Sequence, residues 1–203
     1  MTWRPELLYG NFTIVARFFP GAADEVNTST AFIGLDSSSN SASITMGFHG
    51  AGWLKGDGTG PHSYQLGVYA HKNYTRPHVP RVNTTEDLSN TFNTYGMLWT
   101  PTLVEWRLNG RVVSRYTNAT HIPFQKMQLR LHTRSGYCGQ MRVGATFNAT
   151  FRSFSYESLP DSLRAAAPAV SIRNVGTASL SQARRDLGAV VTGGAFVFGG
   201  GCS

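Results

Sequence analysis

A chain of 203 residues that is 41% hydrophobic and 14% charged can bury a sizeable core and is too apolar to stay disordered. No apolar run approaches the roughly 20 residues of a membrane-spanning helix. The net charge of +7 comes from 18 basic and 11 acidic residues, but Arg107, Arg111, Arg115 and Arg130 alternate with apolar residues and form no run, so no nucleic-acid footprint is legible.

Period-2 alternation of apolar and polar residues, the mark of half-buried antiparallel strands, recurs along the chain. From Asn11 to Phe19, Phe12, Ile14, Ala16 and Phe18 share a face, and Pro20-Gly21 then signals a turn. After a serine-rich turn at Asp36 to Asn40, Ile44, Met46 and Phe48 form one face of a strand. Ser43, Thr45, Gly47 and His49 form its other face. Asp57-Gly58 is the next turn signal. Val104, Trp106 and Leu108 alternate with Glu105, Arg107 and Asn109, and Asn109-Gly110 predicts a tight hairpin. Met127, Leu129 and Leu131 alternate with Gln128, Arg130 and His132, and Val143 to Tyr156 reads as one long strand or two. No helix is legible before residue 160. Many short strands with regular turns predict an all-β sandwich or barrel over residues 1–160. Residues 161–203 are rich in Ala, Gly, Ser and Val and read as an irregular C-terminal tail or linker. A short helix at Ser179 to Leu187 and an extra strand are the alternatives there.

Asn-x-Ser/Thr occurs at Asn11, Asn27, Asn73, Asn83, Asn118 and Asn148. Chance gives about two such sequons at this composition, so the excess points to N-glycosylation and a secreted or surface-associated glycoprotein. Cys138 and Cys202 fit that compartment and can pair as a disulfide. No leader is legible, because Met1-Thr2-Trp3-Arg4-Pro5 runs straight into a strand-like segment. The six histidines, at 49, 62, 71, 78, 121 and 132, lack metal-ligand spacing, and no nucleotide or cofactor fingerprint is present, so neither metal nor cofactor is expected.

Several segments, in order, resemble glycoside hydrolase family 16, the laminarinase, lichenase, xyloglucan transglycosylase and chitin–glucan cross-linking type. They are Tyr9-Gly10-Asn11-Phe12, Thr30 to Leu35, Phe92-Asn93-Thr94-Tyr95-Gly96-Met97-Leu98-Trp99-Thr100-Pro101, Val104 to Val113, and Pro123 to Thr133. The resemblance covers about residues 8 to 157 and implies a concanavalin-like jelly roll of two antiparallel sheets, with a sugar cleft on one of them. The family has a further strand ahead of Tyr9-Gly10, for which few residues remain here, so a neighbouring chain or the tail would complete the sheet.

The family carries Glu-x-Asp-x-Glu on one strand, where alternation places all three carboxylates on the cleft face. A retaining glycosidase uses two carboxyl groups about 5 Å apart. By resemblance those positions fall here on Ser43, Thr45 and Gly47, so no catalytic residue is assigned. Of the remaining carboxylates, Asp36 and Glu105 are the candidates for relocated acids. The cleft residues the resemblance implies for carbohydrate are Trp53, His49, Arg107, Arg130 and His132. Tyr64, Tyr69 and Tyr74 are further aromatics near the cleft, and alternation assigns Trp106 to the core. The leading expectation is a non-catalytic carbohydrate-binding or structural glycoprotein of a cell wall, matrix or particle surface, with a β-linked polysaccharide as partner and without nucleic acid or a membrane span. The alternatives are a structural assembly protein that contacts other copies or surface proteins, and an active hydrolase or transglycosylase with relocated carboxylates.

Overall fold

A computed structural model describes residues 2–18, 29–37, 42–49, 62–69, 81–135, 147–164 and 196–200. The alternating segments are strands: β1 (Thr2–Leu7), β2 (Gly10–Arg17), β3 (Ser29–Asp36), β4 (Ser43–His49), β5 (Ser63–Tyr69), β6 (Val82–Asn83), β7 (Asn93–Trp99), β8 (Val104–Leu108), β9 (Arg111–Tyr116), β10 (Met127–Ser135), β11 (Phe147–Ser158) and β12 (Phe196–Gly200). They pair into two six-stranded sheets, ordered β1-β10-β3-β4-β5-β6 and β12-β11-β2-β7-β8-β9. The pairings are antiparallel throughout. Helical backbone among the described residues is confined to single turns at Ala119–His121 and Asp161–Arg164. The fold is therefore the all-β, two-sheet sandwich that the alternation predicts. No helix of the described residues is long and apolar enough to cross a membrane.

The core lies between the sheets. Phe12, Ile14 and Ala16 of β2 and Ile44, Met46 and Phe48 of β4 are all at most 3% exposed. Burying each large apolar side chain contributes about 1.5–3 kcal/mol. The centre is aromatic: Phe18, which follows β2, stacks on Phe48 with ring centroids 3.6 Å apart. Tyr95 of β7 and Phe151 of β11 meet Phe18 edge-on at 5.3 and 5.9 Å. Tyr64 of β5 lies 5.3 Å from Phe48. Trp99 and Trp106 are fully buried, and the Trp99 indole N–H donates to the Pro123 carbonyl at 3.0 Å.

Two special backbone positions follow from sequence. Asn109 (φ 49°) and Gly110 (φ 80°) adopt the left-handed conformations of a tight hairpin between β8 and β9. The Asn109 side chain then ties this tip to β7, accepting from the Thr94 N–H at 2.9 Å and donating to Asn93 at 2.8 Å. Tyr9 (φ 53°) and Gly10 (φ 154°) form the kink between β1 and β2. Against that kink the Tyr156 hydroxyl donates to the Tyr9 carbonyl at 2.9 Å. A Cβ on Gly10 would lie 2.4 Å from the Tyr156 ring and 2.6 Å from the Glu157 carbonyl oxygen.

One expectation about the chain ends changes, and at the other end one of the alternatives is met. Residues Thr2–Leu7 themselves form a strand ahead of Tyr9-Gly10 and pair with β10, so this chain supplies that strand. Six residues suffice because each advances a strand by about 3.3 Å. At the other end, Phe196–Gly200 pairs with Phe151–Phe147 and extends the second sheet. The turn signals at Pro20-Gly21 and Asp57-Gly58 and the helix expected at Ser179 to Leu187 lie outside the described residues.

Gly10→Ala should cost roughly 2 kcal/mol or more, because it combines a backbone conformation unfavourable to L-residues with overlap against another backbone. Urea unfolding checks this, and an unchanged midpoint would contradict the kink geometry.

Candidate functional site

Because β4 turns Ile44, Met46 and Phe48 into the core, its alternate positions Ser43, Thr45 and Gly47 belong to the outward face of the first sheet. Ser43 and Thr45 are half-buried there. The register sets their neighbours: Ser43 pairs with Asp36 and Tyr69, Thr45 with Gly34 and Gly67, and Gly47 with Phe32 and Gln65. On the far side of β3, Gln128 pairs with Asp36 and Arg130 with Gly34. The face is thus a row of polar and small residues across β10, β3, β4 and β5, with the half-buried Phe32 of β3 among them.

Its one carboxylate on those four strands, among the described residues, is Asp36. The Asp36 carboxylate lies 3.2 Å from Arg130 Nε, and their side chains are 16% and 31% exposed. Burial raises the Asp36 pKa, and this outweighs the opposing Arg130 charge and the Ser43 hydrogen bond. Asp36 therefore retains a proton more readily than an ordinary aspartate while its ionised form is held by Arg130. The nearest outward carboxylate across the sheet is the exposed Glu6 of β1. With β10 between β1 and β3 and strands about 4.8 Å apart, their backbones are separated by about 10 Å.

Glu105 is on the other sheet. Val104, Trp106 and Leu108 of β8 point into the core, and Glu105 sits on the outward face opposite Leu98. Its carboxylate accepts from Arg107 Nε at 2.7 Å and from Arg115 Nε at 2.6 Å. Burial raises its pKa, but the hydrogen bonds and charges of both arginines outweigh this and hold it below the ordinary value. A carboxylate tied to two cations behind the opposite sheet cannot act as acid or base beside β4.

The proposed carbohydrate residues divide in the same way. Arg130 is on the outward face of the first sheet, and in that sheet His132 pairs with Phe32 and His49 with Thr30. Arg107 is not with them: it sits on the outward face of the second sheet, opposite Gly96, with its Nη1 3.5 Å from Asn11 Oδ1. The sandwich core separates it from Arg130, so the two cannot hold one sugar. Trp53 lies outside the described residues, as do Tyr74, Asn27, Asn73, Cys138 and Cys202. Tyr64 is fully buried beside Phe48 and serves the core, not a cleft.

Of the sequons, Asn83 and Asn118 are exposed and Asn11 is half-buried, while Asn148 pairs with Gly199 within the second sheet. Asn118 also accepts from the Thr120 N–H and hydroxyl at 3.2 and 2.7 Å, capping the turn that follows. No group of three His, Cys, Asp or Glu side chains converges among the described residues. A pocket of about 320 Å³ opens at the sandwich edge between β6 and β9, beside Asn83, Thr84, Leu108 and Val112. It is lined by no carboxylate, so it offers no acid–base chemistry, and the β4 face remains the candidate site. Asp36, expected at the start of a serine-rich turn, is the last residue of β3, and Gln65 and Gln128, not singled out from sequence as site residues, join it on this face; alternation along β3, β5 and β10 was the available signal.

Two packed antiparallel sheets in this strand order make a concanavalin-like jelly roll. Residues 4–148 match Glycosyl hydrolases family 16, and the chain belongs to that family. Comparison with curated proteins finds no sequence match. Among solved structures, the Crh5 transglycosylase in complex with NAG is similar with a TM-score of 0.62 and 19% identity, over 78% of this chain and 68% of that one. A Bacillus licheniformis β-glucanase is similar with a TM-score of 0.58 and 19% identity, over 77% of this chain and 69% of that one. The chain spans half the length of the apo Crh5 transglycosylase, with a TM-score of 0.51 and 22% identity over 64% of this chain. At these identities the solved structures establish the fold alone.

Glu105→Gln should cost about 1–3 kcal/mol at neutral pH, less than a fully buried pair would, because Arg115 is 62% and Arg107 32% exposed. The native carboxylate has a depressed pKa, so its stabilisation is present above the ordinary value of 4.5 and is lost as pH falls through the folded-state value. The variant should lose this part of the acid dependence. Unfolding free energies of both proteins from pH 3 to pH 7 check it, and parallel curves would contradict the assignment.

Proposed function

We propose that this chain is a carbohydrate-binding member of the family that does not cleave its ligand. The observation that carries the reading is the outward face of β4, which offers Ser43, Thr45 and Gly47 where the family resemblance places three carboxylates. A retaining mechanism needs one carboxyl group as nucleophile and a second, about 5 Å away, as acid/base. Asp36 alone cannot supply both roles, and Arg130 and Ser43 already engage it. What remains is a row of hydroxyl, amide and guanidinium groups suited to orienting sugar hydroxyls, with a β-linked glucan or chitin-type polymer as the ligand class. Trp53, in the glycine-rich segment after β4, is proposed as the ring that stacks on a sugar face. Glycosylation at the exposed Asn83 and a secreted or surface location belong to the same proposal.

Hydrolysis by relocated acids is the second reading. The raised pKa of Asp36, next to β4, favours it, since a general acid must hold its proton near working pH. Against it, Arg130 and Ser43 already engage Asp36, and β4 itself carries no carboxylate.

Incubation of the full chain with β-1,3-, β-1,4- and mixed-linkage glucans, xyloglucan and chitin separates the readings. The expected outcome is pull-down with at least one polymer and no release of reducing ends. Trp53→Ala and Arg130→Ala should each weaken binding roughly three- to thirtyfold. Reducing ends that disappear in Asp36→Asn would establish the second reading instead.

A further inference from the structure

The second sheet has an outward face of its own, and one corner of it is built unusually. Along the β11–β2 pairing, Phe151 is opposite Ala16 and Ser153 is opposite Val15. Arg152 is thus the extra residue of a β-bulge, a feature that re-aims a side chain out of the regular pleat. Arg17, the last residue of β2, lies opposite Thr150. On the other flank of β2, Ala16 pairs with Asn93, which brings Phe92 next to Arg17. The result is two exposed arginines on one half-buried ring: Cζ of Arg152 is 3.9 Å and Cζ of Arg17 is 5.3 Å from the Phe92 centroid.

Neither guanidinium has an ion-pair partner among the described residues. The nearby carboxylates among the described residues are committed or distant: Asp87, whose segment meets Phe18, is held by Ser89 and Asn90, Glu86 by Arg111, Glu105 by Arg107 and Arg115, and Glu157 lies towards the far end of β11, opposite Asn11. Each cation is attracted to the negative face of the ring. The ring occupies guanidinium faces and leaves N–H edges free to donate. Beside them the face is flat and hydroxyl-rich, with Ser153, Ser155, Thr13 and Thr94 at outward positions of β11, β2 and β7.

We propose that Arg17, Arg152 and Phe92 form an anion-binding site for the sulfate or carboxylate groups of an acidic polysaccharide lying along the outward face of the second sheet. This site is separated from the β4 face by the whole core and does not depend on the function proposed for it. Two cations without an ion-pair partner among the described residues suit a polymer with spaced charges; a nucleic acid would call for a denser basic surface, since such proteins neutralise several phosphates at once.

The test is retention of the full chain on beads bearing dextran sulfate, polygalacturonate or unmodified dextran, in a salt gradient. Retention on one or both acidic polymers but not on dextran is expected, and the stronger of the two identifies the anion. Arg17→Gln with Arg152→Gln should weaken binding about tenfold or more, as the loss of two charge-assisted contacts implies. Arg111→Gln removes the same charge as either single variant, Arg17→Gln or Arg152→Gln, but at the hairpin tip, and should change affinity less than twofold. The melting temperature of each variant, with the separate single variants Arg17→Gln and Arg152→Gln, guards against misfolding. Equal losses in Arg111→Gln and in the two single variants would reduce the effect to net charge and overturn the proposal. Retention on plain dextran, or stronger competition by duplex DNA than by dextran sulfate, would overturn it as well.

Discussion

The stack of Phe18 on Phe48 joins the two sheets at the point on which the candidate site depends. Phe48 ends the inward series Ile44, Met46, Phe48, and its ring is boxed by Phe18, Tyr64 and Tyr95. A slip of β4 by one residue would drive Ser43, Thr45 and His49 into this aromatic centre and expose the three apolar side chains. The packing therefore fixes which residues of β4 meet solvent. Whatever chemistry the outward face has must come from Ser43, Thr45, Gly47 and the neighbours that register brings beside them.

That division separates scaffold from chemistry. The inward half of β4 serves the sandwich, and any side chain there is constrained by volume. The outward half is free of that constraint, so carboxylates can be absent without harm to the fold. The charged groups that are present are arranged to hold one another. Asp36 is engaged by Arg130 and Ser43 on the first sheet, and Glu105 by Arg107 and Arg115 on the second. The raised pKa of Asp36 and the lowered pKa of Glu105 show how far surroundings decide: burial wins where one arginine opposes it and loses where two do. On the second sheet Arg17 and Arg152 gather around Phe92 with no ion-pair partner among the described residues, so the two outward faces of one sandwich differ in what they can attract.

Much of the fold was legible because period-2 alternation is a local property. The β4 pattern and the Asn109-Gly110 hairpin are where the residues put them. The same alternation could not tell Arg107 from Arg130, since a sandwich has two outward faces and the period marks only inward against outward. Tyr64 looked like a cleft aromatic until its phase with Leu66 and Val68 placed it in the core. The Asp36–Arg130 pair joins residues 94 positions apart, and the Arg152 bulge depends on how β11 meets β2; neither has a local signature. The kink at Tyr9-Gly10 was noticed as a motif, but its reason, the Tyr156 ring and the Glu157 backbone, is a long-range contact.

The most direct measurement is an NMR titration of the isotopically labelled full chain with a soluble β-gluco-oligosaccharide, followed by mass analysis of the sugar after long incubation. The account predicts shift changes at Asp36, Thr45, Gln65 and Arg130 on the first sheet, with the oligosaccharide recovered at its original length. Shortened or transferred products, or binding shifts that avoid the β10-β3-β4-β5 face, would contradict it.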